Sequence, residues 1–490
     1  MTAQPRIRLG TTAVILAAIL TTVLSAFAPA WLVVCALAGT VIGGVLIMPR
    51  LTAPLLLVGL TLQEAIARNL DPVAASLAQA VRTLDEIALV AAAIRLAFLF
   101  AVGDRKWLRL KDWVWPGVFV LAGVVSSLRH WTGAAPAGLG LALASKFFGF
   151  LILCQSIPWQ RSDGERLVRV VRWSAPVLLV AGLGGLVFSE FTLRHFAATE
   201  GDVEYTRGGL QSLMVPFVNP GLYGWAMAIV ALAAFVSMVE RRSKASGVLF
   251  ATALAGVLLS LRRRPLIGIP VAIAAAFLQV KSRQRRTVLL VAVLGAGALG
   301  WLGRDLIRVT IVDTLQNYLD PVARENTARG AMLGASVILA RRDFPLGEGF
   351  GRFGGFAAER FYSGVYDELG LSQIYGLSPD SPYYLTDTYW PHLLGETGVV
   401  GVGAMLLMLV GLVLRMRTIH RDREASDDLR LAALFAGLVL TEGIIESLGG
   451  PVFEVSLQAF MIALPVGMAT RLATFRTPVD EPAPEPAQSM

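Results

Sequence analysis

Apolar runs near the thickness of a bilayer's hydrocarbon core recur along most of the chain, and they limit its fold more than any other feature. A span needs about 20 mostly apolar residues, or about 17 at the short end, and roughly fourteen segments approach that length. They lie near 11–29, 31–48, 52–66, 86–103, 113–129, 138–157, 172–190, 221–239, 246–261, 265–280, 287–302, 396–414, 430–448 and 453–470. Hydrophobic residues make up 55% of the chain and charged residues 16%, against about 25% charged in soluble domains. The expected fold is an all-α polytopic membrane protein. The first two runs are short and can merge or tilt, so the expectation is about 12–14 transmembrane helices.

The connections supply an orientation, because cytoplasmic loops hold the excess of Lys and Arg. With Arg6 and Arg8 inside, alternate connections are basic: Arg50, Asp104 to Lys111, Arg161 to Arg172, Glu240 to Lys244, Lys281 to Arg286, and Arg415 to Arg430. The exception is Arg262, Arg263 and Arg264, which this pattern places on the far side. An arginine cluster there needs a reason, and an anionic substrate supplies one. Arg6 and Arg8 before an apolar run ending in "AFA" also fit a signal peptide; Pro29 disfavours the cut, and an uncleaved first span is the reading. Cys35 and Cys154 lie inside spans and carry no disulfide or metal information. The net charge of +8 follows from loops that face anionic headgroups, with no need for nucleic acid.

The expected organisation is transmembrane helices over 1–190, an external loop at 191–220, transmembrane helices with an external arginine corner over 221–302, and an external loop at 303–389. C-terminal helices follow over 390–470, then a Pro-rich disordered cytoplasmic tail at 471–490. The 303–389 segment is too aromatic to be disordered, with Phe344, Phe350, Phe353, Phe356, Phe361, Tyr362, Tyr366, Tyr375, Tyr383 and Tyr384 along it. It reads as a small helical cap between the last helices. Residues 329–342 read as an amphipathic helix suited to the membrane surface.

Four external motifs follow in order: "RGGLQSLMVPFVNP" from Arg207, "LSLRRRPLIG" around Arg263, "ARRDFPLGEGFGRFG" after Arg329, and "DTYWPHLLGETGVVG" from Asp387. Guanidinium forks suit diphosphate oxygens through bidentate, charge-assisted hydrogen bonds, which marks Arg207, Arg262, Arg263, Arg264, Arg329 and Arg342 as diphosphate-binding candidates. Gly347 and Gly349 open a Gly-rich run that permits close backbone approach to a ligand. It lacks the strand-turn-helix setting of a nucleotide loop.

These motifs together resemble the O-antigen ligase and O-antigen polymerase family, over roughly Arg207 to Gly403. Ligases of that family carry His nine positions before the Glu of the Glu-Thr-Gly step, and many polymerases carry Asp. Here the residue nine positions before Glu396 is Asp387, while His392 lies four residues before it. The resemblance therefore implies metal-independent glycosyl transfer, without cofactor, between undecaprenyl-diphosphate-linked glycans on the periplasmic face of the bacterial inner membrane. It implies arginines around the departing diphosphate, Asp387 as general base and His392 as a second catalytic candidate. The lipid bilayer and a polysaccharide chain-length regulator are the further partners. A ligase, or a lipid-linked oligosaccharide flippase, is the alternative.

Plainer readings accompany these. Arg262 to Arg264 are also the composition of snorkelling interfacial residues, and Arg329, Arg341 and Arg342 that of helix anchors. Asp387 can cap the helix after it, the Gly run can be a turn, and His130, His195 and His420 read as solvated loop residues. Charges inside spans are costly and by default functional. Glu442 and Glu446 share a helix face, where they are expected to pair with Arg95 or Lys146 or to line a polar cavity, ahead of a direct catalytic role. Glu446, nearer the external end, and Tyr389 join the glycan-side candidates.

Overall fold

The computed structural model describes residues 30–103, 108–131, 133–197, 205–207, 210–280, isolated positions between 285 and 297, and 327–476. The expected span at 11–29, most of that at 287–302, the cap segment before 327 and the tail from 477 lie outside the described residues.

The described chain is helical, apart from one antiparallel pair of two-residue strands, β1 (Thr206–Arg207) and β2 (Leu210–Gln211). In order the helices are α1 (Ala30–Ile47), α2 (Pro49–Leu70), α3 (Ala75–Arg82), α4 (Leu84–Ala101), α5 (Val114–Arg129), α6 (Ala134–Ala144), α7 (Lys146–Ser156), α8 (Asp163–Val187) and α9 (Ser189–His195). There follow α10 (Pro220–Arg241), α11 (Lys244–Leu259), α12 (Arg263–Gln279), α13 (Ala328–Arg342), α14 (Gly355–Phe361), α15 (Val365–Glu368), α16 (Trp390–Arg421), α17 (Asp427–Glu446) and α18 (Ser456–Leu472).

Among the described residues, α2, α8, α10 and α16 are each long and apolar enough to cross a bilayer, and α6 with α7 make a fifth if that pair is one span bent by 48°. The bend has a polar cause. Lys146 opens α7 by donating to Asp85 Oδ2 at 2.6 Å and to Ser456 Oγ at 2.9 Å, so the helix turns to bring its ammonium into the bundle.

Helix α10 is the axis of the bundle, buried along most of its length and packed by α8, α11 and α17. Its start is written in the sequence: Asn219 Oδ1 accepts from Leu222 N at 2.8 Å, and Pro220 occupies the first turn, where no amide hydrogen is required. Helix α16 lies against α5 and α17, and α18 against α7. By contrast α8 turns Val170, Val177 and Val180 outward, each more than 60% exposed, which is stable only where the surroundings are themselves apolar.

A second core stands apart from the bundle. Met332, Ala335 and Leu339 of α13 bury against Phe353, Val365, Tyr366, Leu377 and Leu385. Tyr366 stacks on Phe353 at 5.9 Å and on Tyr362 at 4.9 Å. The expected small folded unit within 303–389 thus has its own core, while Leu333, Val337 and Ile338 form the outward face of α13.

Candidate functional site

Several of the candidate residues meet at one end of the bundle. Thr327 caps α13 by accepting from Gly330 N at 3.2 Å, which fixes Arg329 in the first turn. Arg329 Nη2 donates to Asp387 Oδ2 at 2.7 Å, and both side chains remain more than a third exposed. The cap residue of α16 is Tyr389, so the capping reading of Asp387 gives way to an ion pair. Three residues on, Trp390 Nε1 donates to Ser447 Oγ at 3.1 Å, and Ser447 follows Glu446 at the end of α17. Glu446 is buried and lies 3.8 Å from Arg264 Nη1, whose guanidinium packs on Gly449 and Gly450. Arg262 stands just before α12, with no side-chain bond to the helix amides, and Arg263 begins it, both half-buried. The hairpin carrying Arg207 joins the same corner, because Leu213 N donates to Leu259 O at 3.0 Å.

Glu442 and Glu446 do not pair with Arg95 or Lys146. Arg95 donates to Val45 O at 2.7 Å and to Ser156 Oγ at 2.8 Å, and Lys146 is taken by Asp85. Glu442 instead lies fully buried against Gly268, where any side chain would strike its carboxylate.

The Gly-rich run is a strap laid between α5 and α16. Gly347 N donates to Ser126 Oγ at 3.2 Å, Glu348 N to Gly395 O at 2.8 Å, Gly349 N to Glu396 O at 2.9 Å and Phe350 N to Ser127 Oγ at 2.8 Å. The close approach expected for Gly347 and Gly349 is therefore to protein backbone. A Cβ at Gly347 would meet Gly395 O at 2.5 Å, and Gly349, at φ +98°, presses on Ser127 Cα. Helix α16 yields where the strap crosses it: Gly398 has φ +66°, and a Cβ there would meet the Leu346 carbonyl at 2.2 Å.

Glu396 fastens the strap. Its Oε1 accepts from Arg352 N at 2.9 Å and Phe353 N at 3.2 Å, and its Oε2 lies 3.0 Å from His392 Nε2. His392 is buried beneath Gly354 and Gly355, and Glu454 Oε1 lies 3.8 Å from the same Nε2. It is enclosed between these two carboxylates, whereas the Arg329–Asp387 pair is partly exposed. Tyr389 is also enclosed, its ring edge-on to Trp390 at 5.4 Å and 5.5 Å from Phe453, so it presents no face to a glycan.

Arg342 belongs elsewhere. A helix rises about 1.5 Å per residue, so the opposite ends of α13 hold Arg329 and Arg342 about 20 Å apart, too far to share one diphosphate. Arg342 hydrogen-bonds Glu348, and also Glu368 Oε1 at 2.6 Å and Asp343 Oδ2 at 3.3 Å. Arg352 Nε lies 3.2 Å from Glu348 Oε2, and His130 Nε2 lies 3.1 Å from Asp343 Oδ1. Burial pushes the Asp343 carboxyl up, but hydrogen bonds with Glu348 and Arg342 and the nearby charge of His130 outweigh it and hold the group below its ordinary value. Burial opposes the charge of Arg342, and Glu348 beside it more than compensates, raising its pKa.

Ligand atoms of His130, Asp343 and Glu348 lie within 4.8 Å of one another, a spacing that can hold a metal ion. Arg342 and Arg352 already balance the two carboxylates, so the cluster reads as an ion-pair lock. The three histidines read as solvated all have partners: His130 in this lock, His195 on Asn69, and His420 buried with Nδ1 3.1 Å from Arg430 O.

Sequence reasoning passed over Glu396, Glu348, Arg352 and His130. The Glu-Thr-Gly step was the available signal for Glu396; the others depend on partners distant in sequence. No protein-family model and no curated protein matches the chain.

Proposed function

We propose that the chain is a polytopic inner-membrane glycosyltransferase that polymerises undecaprenyl-diphosphate-linked repeat units on the periplasmic face. The observation that carries this reading is two ion pairs from four separate segments, Arg264–Glu446 and Arg329–Asp387, at one end of an apolar bundle, tied through the Trp390–Ser447 hydrogen bond between the elements that follow Asp387 and Glu446. The four-motif resemblance supplies the substrate class, and the second core over the same end supplies the cap.

In this reaction an acceptor hydroxyl oxygen attacks the anomeric carbon of the growing chain. The bond from that carbon to the diphosphate breaks, and undecaprenyl diphosphate departs with the electron pair. Arg329 and the Arg262–Arg264 corner stabilise that developing charge, a contribution of a few kcal/mol per donor. Asp387 takes the hydroxyl proton. Diphosphate oxygens compete with Asp387 for Arg329, so donor binding also frees the carboxylate to accept a proton. His392 and Glu396 hold the strap beneath this surface, and Arg342 locks its far end.

The test is elongation of purified lipid-linked repeats by the detergent-solubilised protein. A product ladder is expected from the wild type, and unchanged glycans, the outcome for a flippase, would refute the proposal. Asp387→Asn should lower turnover about 100-fold to 10,000-fold with donor retention intact. Near-normal turnover in that variant would remove Asp387 from the base role.

A further inference from the structure

At the opposite end of α17 from Glu446, a cavity of about 370 Å³ opens between α8, α10, α11 and α17. Arg169, Arg172, Arg241, Ser237, Ser243 and Glu165 are among its lining. Arg169 donates to Glu165 Oε1 at 2.7 Å, while Arg241 bonds Asp428 and lies 3.6 Å from Glu165. Arg172 donates to Ser246 Oγ at 2.7 Å, and among the described residues no carboxylate is in ion-pair contact with it, Glu165 acting on it only from a distance. Three guanidiniums thus face two carboxylates, and the Arg172 Nε is buried without an acceptor. The N-terminus of α11 adds to this positive field. It meets the cavity through Ser243, whose hydroxyl caps no amide.

The surface beside the cavity is shaped for lipid. Arg169, Trp173 and Val177 follow at four-residue spacing and share one face of α8, and Val180 continues it. Trp173 is half exposed, and Val177 and Val180 about two-thirds or more. An indole between a cationic head site and an aliphatic stripe has the order of a membrane interface, where Trp sits at headgroup level. Basic pockets between spans on the cytoplasmic side are suited to anionic headgroups.

We infer that this cavity binds the phosphate of an anionic phospholipid from the cytoplasmic leaflet, with an acyl chain laid along Trp173, Val177 and Val180. The site needs the bundle to cross a bilayer with this end on the cytoplasmic side, and it is independent of the glycan chemistry at the other end.

The experiment offers the purified full-length protein equal amounts of phosphatidylglycerol and phosphatidylcholine with matched chains. Retained lipid on the folded protein is counted by native mass spectrometry. The wild type should retain phosphatidylglycerol in preference. Arg172→Gln and Arg169→Gln should each reduce that retention about fivefold, the equivalent of about 1 kcal/mol, and leave phosphatidylcholine unchanged. Arg169 is 55% exposed, so its variant keeps the test open if Arg172→Gln does not fold. Equal phosphatidylglycerol retention by wild type and a folded variant overturns the inference. So does binding of inorganic phosphate alone as strong as that of the lipid, which would make the occupant a soluble anion.

Discussion

Glu396→Ala is the sharpest perturbation of the strap, because one buried carboxylate oxygen receives two of its amides, Arg352 N at 2.9 Å and Phe353 N at 3.2 Å. Alanine leaves both donors buried without partners, at about 1–3 kcal/mol each, so the strap should lose about 2–6 kcal/mol. Each 1.4 kcal/mol is about tenfold in an opening equilibrium. Hydrogen exchange of amides 347–354 in the detergent-solubilised protein should then accelerate from about 30-fold to beyond 10,000-fold. The buried amides of α10 serve as the internal reference and should not change.

Glu396→Gln separates the hydrogen bonds from the charge. Its carbonyl oxygen still accepts from both amides, and only the 3.0 Å contact with His392 is altered, so a loss near 1 kcal/mol and less than about tenfold acceleration is expected. Unchanged strap exchange in Glu396→Ala would refute the clamp, and equal losses in both variants would shift the effect from the amides to the His392 contact.

The remaining expectations concern the ion pairs and the orientation. Glu348→Ala removes the buried carboxylate shared by Arg342 and Arg352 and should cost about 1.5–3 kcal/mol, since both arginines keep other partners, read as a lowered midpoint of thermal unfolding, whereas Glu368→Ala, at an exposed partner of Arg342, should cost no more than about 1 kcal/mol. Since the folded pKa of Asp343 is depressed, its contribution is complete above the ordinary carboxylate value and is lost as pH falls through the lower folded value. Thermal scans into acid should show that limb in the wild type and not in Asp343→Asn; matching profiles would contradict it. For orientation, Asp380→Cys should react with an impermeant thiol reagent outside intact spheroplasts and Ser162→Cys only after permeabilisation, and the reverse result would place the arginine corner in the cytoplasm.

The helices were legible where a local rule decides them. Asn219 followed by Pro220 marks the start of α10 in the sequence, and the structure uses the first as cap and the second in the first turn. The apolar run beginning near 172 hides nine earlier helical residues, since α8 begins at Asp163. That stretch has local support, Asp163 and Glu165 in its first turn and the Glu165–Arg169 pair four apart, and Arg241 also meets Glu165 from another helix, a contact absent from any local window. The run at 138–157 breaks at Ser145 for the same kind of reason, Lys146 being drawn to Asp85, 61 residues earlier. His130 looked solitary because its partner Asp343 is more than two hundred residues away.

The arginines show how a site reading changes when a helix is given its length. As letters, Arg329 and Arg342 are equivalent; as the two ends of α13 they serve separate carboxylate groups, Asp387 at one end and Glu348 with Asp343 at the other. The second group is knit into the strap, so replacing Arg342 loosens the frame before it touches any ligand. The first holds the Arg329–Asp387 pair, more than a third exposed on both sides. Such a pair costs little to open, and an anion with two negative oxygens can compete with one carboxylate for its guanidinium. Loss of polymer in Arg342→Ala therefore says little about the diphosphate unless the strap's amide protection is measured in the same variant. Loss in Arg329→Ala, with that protection intact, speaks to the chemistry.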